Sequence, residues 1–467
     1  MDDITTLPVA VIGAGPVGLA AAAHLVQRGQ VPVVFEQGSE VGAAIRQWAH
    51  VRLFSPWQYT VDAAARTLLL ASGWDEPEAT DLPTGGEIVS RYLEPLAHLP
   101  QIAPHLRLGA RVTAVTKQGL DKVTTPGRSR RPFDLRWVDA DGTEQSTLVR
   151  AVIDASGTWG QPGPMGIDGL AVPGEAAARE LIAYGIPDVL GADRATYAGK
   201  TVLVVGSGHS AINAALDLLA LEAEAPGTRV LWALRRNRIE RLLGGGLNDQ
   251  LPERGALGLA AKRAIDAGRL EVLAPFAASR VTPSHPGVVV EGKLGSIDVK
   301  LGVDRIIVAT GFRPNLGLLS ELRIGIDPAT EAPPALSPLI DPNVHSCGDV
   351  PPHGVDELSH PDAGVYIVGA KSYGRAPTFL MATGYEQVRS IVAELAGDPV
   401  AARQVHLVLP QTGVCGTAPV TGGAGCCGGP AASTSSCCVA DEVAKAEGEA
   451  GCGCGTSKSS TRTVEIA

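Results

Sequence analysis

One three-part pattern occurs twice in this chain: an apolar strand, a Gly-x-Gly turn and a helix of small residues. Residues 8–37 read PVAVIGAGPVGLAAAAHLVQRGQVPVVFEQ. The apolar run Val9–Ile12 enters Gly13-x-Gly15-x-x-Gly18, an Ala-rich helix follows, and a second strand ends at Glu36. Gly13 suits the tight turn, Gly15 lets backbone approach a pyrophosphate, and Gly18 lets the helix pack close to the strand. The helix N-terminus then faces the phosphates. Glu36 lies 18 residues beyond Gly18, where a carboxylate holds a ribose hydroxyl pair. A lone Gly-x-Gly-x-x-Gly is a weak signal. Strand, helix, second strand and terminal acid together predict a dinucleotide site, and a glycine-rich turn in some other α/β protein explains Glu36 only by chance.

The second copy is KTVLVVGSGHSAINAALDLLALEAEAPGTRVLWALRRN, residues 200–237, with Gly206-x-Gly208-x-x-Ala211 at the turn. Alanine is an accepted third residue. The following strand ends in Arg235-Arg236 rather than an acid. A carboxylate there would repel a 2′-phosphate, whereas arginines bind it. The pair predicts NADPH rather than NADH; a solvated strand end is the plain alternative.

Length and charge narrow the remaining choices. The 467 residues suffice for two or three domains. A composition of 45% hydrophobic and 19% charged residues is globular. The net charge of −10, with no basic stripe, argues against nucleic acid as a partner. No apolar run reaches the ~20 residues that span a bilayer. A core strand begins by Pro8, which leaves no room for a secretory signal. A cytoplasmic protein with reduced thiols is expected.

The cysteines are unevenly placed. Of eight, Cys347 stands alone, and Cys415, Cys426, Cys427, Cys437, Cys438, Cys452 and Cys454 crowd the end. From Gln411 onward there is no Phe, Trp or Tyr, so this segment cannot bury enough apolar area to offset its ordering entropy. A flexible Cys-rich tail is expected. Adjacent Cα atoms sit ~3.8 Å apart, whereas disulfides want ~4.4–6.8 Å. A vicinal pair therefore stays a dithiol and makes a clamp for a soft, thiophilic ion. All seven tail cysteines are candidate metal(loid) ligands. They show no zinc-ribbon spacing, and an inert extension is the alternative.

Two dinucleotide folds, the first ending in an acid and the second in arginines, resemble the two-dinucleotide-binding flavoproteins. Two short motifs carry the resemblance further: Ala155-Ser156-Gly157 closes VIDASGT, and Ala309-Thr310-Gly311 closes RIIVATGF. The resemblance implies FAD in the first site and NADPH in the second. The expected fold class is α/β, with a discontinuous FAD domain (1–165 and 305–405), an inserted NADPH domain (166–304) and the tail (406–467). A second flavin contact is expected from a late strand. Gly348-Asp349 matches the usual text, but prolines follow it. GVYIVG, within GVYIVGAKSYGRAPTF, is a proper buried strand pattern, and the helical segment ATGYEQVRSIVAELAG follows it, so Gly369, Lys371 and Ser372 are the expected contacts. The other expected FAD contacts are Gly13, Gly15, Pro16, Gly18, Glu36, Gln37, Ser55, Val112, Ser156 and Gly157. For NADPH they are Gly206, Ser207, Gly208, His209, Ser210, Arg235 and Arg236, with Thr310 and Gly311 at the domain crossing.

Flavoprotein disulfide reductases keep two cysteines against the flavin, but residues 38–62 and 165–305 contain none. The arrangement of fingerprints resembles flavin-containing monooxygenases. That family's linking motif before the second fingerprint is replaced here by YGIPDVLGADRATYAGK, which has no histidine. A closer resemblance is to the flavoprotein monooxygenases of bacterial arsenic-resistance operons. It is carried by IRQWAHVRLFSPW (45–57), YGIPDVLGADRATYAGK (184–200), GHSA (208–211), HSCGDVPPHGVDELSHP (345–361) and VGAKSYGRAPTF (368–379). It implies NADPH- and dioxygen-dependent oxidation of a trivalent arsenical, with the tail as collector of the thiophilic substrate. Two alternatives stay open: an NADPH-dependent reductase whose tail thiols pass electrons, and a metal(loid)-binding chaperone or sensor. The loop 345–360 holds three histidines, Cys347, Asp356 and Glu357, and is either an oxidation site or a polar surface loop. A homodimer is compatible with all of these readings, and the catalytic acid or base is not identified.

Overall fold

The computed structural model describes residues 4–236, 252–343, 350–377 and 379–407. In chain order the strands are β1 (Val9–Ile12), β2 (Pro32–Phe35), β3 (Leu106–Arg107), β4 (Arg111–Lys117), β5 (Phe133–Val138), β6 (Glu144–Val149), β7 (Ala151–Asp154), β8 (Ile182–Tyr184), β9 (Thr201–Val205), β10 (Arg229–Ala233), β11 (Glu271–Leu273), β12 (Phe276–Pro283), β13 (Val288–Leu294), β14 (Ile297–Val303), β15 (Arg305–Val308) and β16 (Val365–Ile367). They build two parallel five-stranded sheets, ordered β16-β7-β1-β2-β3 and β11-β10-β9-β15-β8. Each sheet carries an antiparallel three-stranded attachment, β4-β5-β6 on the first and β12-β13-β14 on the second.

Both parallel sheets are built of short, largely buried apolar strands, the form expected when helices cover the faces. The helix Pro16–Gln27 starts with Pro at its first turn and buries Leu19 and four consecutive alanines, Ala20–Ala23. Small side chains let it lie close to β1. The helix Met381–Leu395 packs beside it, burying every residue from Thr383 to Ala393. The second domain repeats the plan with the helix His209–Glu224, whose buried face is Ala211, Ile212, Ala214, Ala215, Leu218, Leu219 and Leu221.

The two fingerprints make equivalent contacts. Ala155 N donates to Ile12 O at 2.9 Å, and Ala309 N donates to Val205 O at 2.8 Å. Gly13 (φ +100°) turns beneath the Ala155 carbonyl, and Gly206 (φ +141°) turns beneath the Ala309 carbonyl. A Cβ on Gly13 would stand 2.7 Å from the Ala155 oxygen, and one on Gly206 would overlap the Ala309 oxygen. Ala155-Ser156-Gly157 and Ala309-Thr310-Gly311 are thus the same structural element in two domains.

One expected boundary moves. The sequence pattern places residues 305–308 in the second part of the FAD domain, but β15 pairs with β9 and β8 inside the second sheet. The chain returns to the first domain only after it, and β16 then joins β7. An apolar strand ending in a Gly turn reads the same in either sheet, which is why the pattern puts the crossing too early. Among the described residues no helix is long and apolar enough to cross a membrane.

The closest backbone approach gives a direct test. A Cβ on Gly18 would overlap the Gly13 carbonyl, whereas one on Gly302 meets nothing within 4 Å. Gly18→Ala should lower stability by about 1–3 kcal/mol, read as a fall in Tm. Gly302→Ala should stay within about 0.5 kcal/mol of the parent. Equal Tm values for the two variants would refute the packing argument.

Candidate functional site

A cavity of about 760 Å³ opens at the C-terminal ends of β2, β1, β7 and β16. That edge is where ligands bind in doubly wound sheets. Its wall includes Gly13, Gly15, Pro16, Glu36, Gln37, Val112, Ser156, Gly157, Gly369 and Lys371. The structure therefore brings together ten of the thirteen expected FAD contacts. Gly18 lies behind the wall, against the Gly13 carbonyl. Ser55 lines a smaller cavity of about 120 Å³, which shares Phe379 and Met381 with the large one. Ser372 does not line either cavity. It is fully buried and its hydroxyl turns back to the Gly369 carbonyl at 2.8 Å, because the chain coils into a tight 3₁₀ turn after β16.

The charged groups of the wall are held firmly. Glu36 accepts the amides of Ala14 and Gly38, each at 2.8 Å, so its carboxylate is fixed at the end of β2. Gly15 is open: a Cβ there would meet nothing within 4 Å. That bare approach at the start of the helix Pro16–Gln27 is the cradle a diphosphate needs. Lys371 bridges to Asp154 at 2.7 Å and to Ser156 Oγ at 2.9 Å, with side chains 1% and 0% exposed for the pair.

The turn that carries Lys371 is pinned from behind. Gly369 N donates to Gln387 Oε1 at 2.7 Å, and Gln387 Nε2 donates to Ser372 Oγ at 2.9 Å. His353 Nδ1 lies 3.0 Å from the Pro351 carbonyl, which only accepts, so the proton is on Nδ1. His353 Nε2 then accepts from Gln387 at 2.9 Å. His353, a candidate for an oxidation site on the sequence pattern, is a buried brace for the turn after β16. Burial pushes its imidazole below the usual histidine range, and burial pushes His360 down to about 4. His345, Cys347, Gly348 and Asp349 lie outside the described residues, as do all seven tail cysteines. Among the described residues no cluster of three or more His, Cys, Asp or Glu is placed to hold a metal.

The second site is an open strand-to-helix turn. Ser207 and Gly208 follow Gly206, and His209 and Ser210 open the helix, with no atom within 4 Å of a Cβ placed on Gly208. Arg235 and Arg236 follow β10 and are exposed, available to a ligand at the strand end. The Phe54 ring of the first domain meets the His209 ring at 5.2 Å. Thr310 and Gly311 do not line the large cavity. They stitch the two crossings together: Thr310 Oγ1 donates to Gly163 O at 2.7 Å and Gly163 N to Gly311 O at 2.7 Å.

Sequence reading missed four contributors. Asp154 was legible, as the lone acid ending the apolar strand AVID. Gln387, Trp159 and Phe312 carried no signal. Trp159 lines the cavity, stacks on Phe312 at 4.7 Å, and donates to Gln47 at 2.8 Å.

The NAD(P)-binding Rossmann-like domain family matches residues 11–80, from the first fingerprint through the helices after β2. The ferredoxin–NADP reductase of Thermus thermophilus is 26% identical over 350 residues, spanning 73% of this chain and 84% of that protein. The flavin-containing monooxygenase FMO GS-OX-like 2 of Arabidopsis thaliana is 26% identical over 245 residues. That match spans about half of the monooxygenase, 49% of its length. In three dimensions the chain superposes on the bacillithiol disulfide reductase Bdr (YpdA) of Bacillus cereus with a TM-score of 0.62. The two are 20% identical, and the match covers 84% of this chain and 99% of the reductase. The fold is therefore the one shared by flavoprotein reductases and monooxygenases.

Two expectations can be measured. Arg235→Ala with Arg236→Ala should weaken NADPH binding about tenfold or more, since charged hydrogen bonds contribute about 1.5–3 kcal/mol. NADH binding should hardly change; equal losses for both cofactors would remove the 2′-phosphate role. For His360 the folded pKa of about 4 lies below the unfolded value of about 6.5. The unfolded chain thus takes up the proton first as pH falls. The contribution is full above pH 6.5 and is lost towards pH 4 at about 1.4 kcal/mol per pH unit. His360→Leu should flatten that limb in denaturant titrations; unchanged slopes would refute it.

Proposed function

We propose that this chain is an FAD- and NADPH-dependent monooxygenase that oxidises a trivalent arsenical, inorganic or organic, to its pentavalent form. At the coarser level the chain is a flavin-dependent oxidoreductase that uses NAD(P)H. The observation that carries the reading is the cavity along β2, β1, β7 and β16, set beside a second dinucleotide fold that ends in Arg235 and Arg236. The residues present fit an FAD. Glu36 would hold the adenosine ribose, Gly15 and the helix start the diphosphate, and Gly369 with Lys371 the redox end. When bound, FAD supplies two-electron chemistry between NADPH and the acceptor. The protein's own part is to fix the cofactor, to brace the turn through Gln387 and His353, and to position Trp159 at the cavity wall.

The balance of the reaction is simple. Two electrons from NADPH and two from arsenic reduce dioxygen: one oxygen atom goes to arsenic and the other leaves as water. The lack of cysteines in residues 38–62 and 165–305 supports dioxygen over an internal disulfide as acceptor. The tail cysteines would collect the thiophilic substrate and raise its local concentration. A second reading is favoured by the match spanning 84% of a ferredoxin–NADP reductase: electrons would pass to a bound acceptor or to the tail thiols.

Oxygen uptake separates them. The FAD-loaded protein with NADPH should consume oxygen faster with arsenite or methylarsenite and yield a pentavalent product by arsenic speciation. Deleting residues 411–467 should raise the apparent KM for the arsenical more than it lowers kcat. Uptake indifferent to the arsenical, or none at all with NADPH still consumed by a thiol acceptor, would overturn the oxygenase reading in favour of the reductase.

A further inference from the structure

Three groups close a triangle at the end of β7. Lys371 Nζ donates to Asp154 Oδ2 at 2.7 Å and to Ser156 Oγ at 2.9 Å. Ser156 Oγ donates in turn to Asp154 Oδ1 at 2.6 Å, and Ser156 N reaches the same oxygen at 3.1 Å. An ammonium has three N–H donors. Two are spent, and among the described residues the third has no acceptor. Lys371 is nonetheless part of the cavity wall, with Ser156 and Gly369 beside it. A buried ion pair is weak support for a fold, because apolar residues of the same volume often serve as well. Here the pair joins two strand ends that face a ligand cavity, which points to a role towards the ligand.

The order of the strands says which part of the ligand. Glu36 ends β2, Gly15 follows β1, Asp154 ends β7, and Lys371 follows β16, and these four strands are neighbours in that sequence. Adjacent strands lie about 4.8 Å apart. Ribose at β2 and diphosphate at β1 leave the far end of the cavity, over β7 and β16, for the redox half of the cofactor.

We propose that Lys371 is a positioning residue for that half, donating its third N–H to an acceptor atom of the flavin, and that Asp154 sets how much of its charge the flavin feels. This rests on the FAD reading above. Reduction makes the flavin more electron-rich, so a nearby cation favours the reduced form and a nearby carboxylate opposes it. Lys371 and Asp154 therefore push the midpoint potential in opposite directions and are poised against each other.

The test uses the full chain, reconstituted with FAD, and reads both the Kd and the midpoint potential by spectroelectrochemistry. Lys371→Met should weaken FAD about tenfold or more and lower the potential. Asp154→Asn should raise the potential, and the double variant should return towards the parent value. Lys371→Arg, which keeps the charge, should shift the potential least. ADP, which lacks the redox half, should bind all of these alike. If Lys371→Met does not fold, the double variant, which buries no lone charge, is compared with Asp154→Asn instead. Shifts of the same sign, unchanged potentials, or a parallel loss of ADP binding would overturn the proposal, the last by putting the cation on the diphosphate. A parent protein that takes up no FAD would instead sink the cofactor reading itself.

Discussion

At the end of β1 the Ala155 amide reaches the Ile12 carbonyl, and Gly13 turns under the Ala155 carbonyl. At the end of β9, Ala309, Val205 and Gly206 repeat the arrangement. A side chain at either glycine would collide with that backbone, so each fingerprint turn is pressed against the strand that leads out of its own domain. The consequence is mechanical. The turn that would cradle the phosphates and the crossing that links the domains are parts of one packed unit, and neither moves without the other. The cavity walls at Gly13, Gly15, Ser156 and Gly157 depend on this contact.

Legible and hidden features of the chain divide along the same line. The fingerprints were legible because glycine is required by local geometry, and local geometry leaves a mark at fixed spacing. Glu36 was legible for the same reason, at the end of the second strand. Gly369 and Lys371 could be found because a short buried strand and a long helix bracket them. Gln387 could not be found, because nothing in ATGYEQVRS says that one buried polar residue will reach a turn 18 positions away. The role of His353 was hidden too. It sits in a Pro- and Gly-rich loop, its partner Gln387 is 34 residues away on the helix Met381–Leu395, and burial lowers its basicity. Ser372 and Ser55 lie beside the wall of the large cavity rather than on it: the Ser372 hydroxyl turns back to the Gly369 carbonyl, and Ser55 lines the smaller cavity.

The domain boundary failed for a reason of topology. The stretch RIIV is apolar on both faces, as any central parallel strand is, so its composition is silent about which sheet it completes. Only pairing decides, and β15 pairs between β9 and β8.

The two crossings are where the halves of the molecule share backbone. Residues 161–163 run antiparallel to residues 311–313, joined by Gly163 N to Gly311 O at 2.7 Å and Arg313 N to Gln161 O at 2.8 Å. The Trp159–Phe312 stack and the Thr310 hydroxyl tie the same pair. This paired ribbon is the backbone link between the crossing that leaves the first sheet and the one that leaves the second. Trp159 carries that link to the first site. It belongs to the ribbon, lines the cavity and is tethered to Gln47 of the first domain, so a shift of the second domain is felt at the wall of the first site. The same ribbon therefore joins the two crossings and, through Trp159, forms part of the wall of the first cavity.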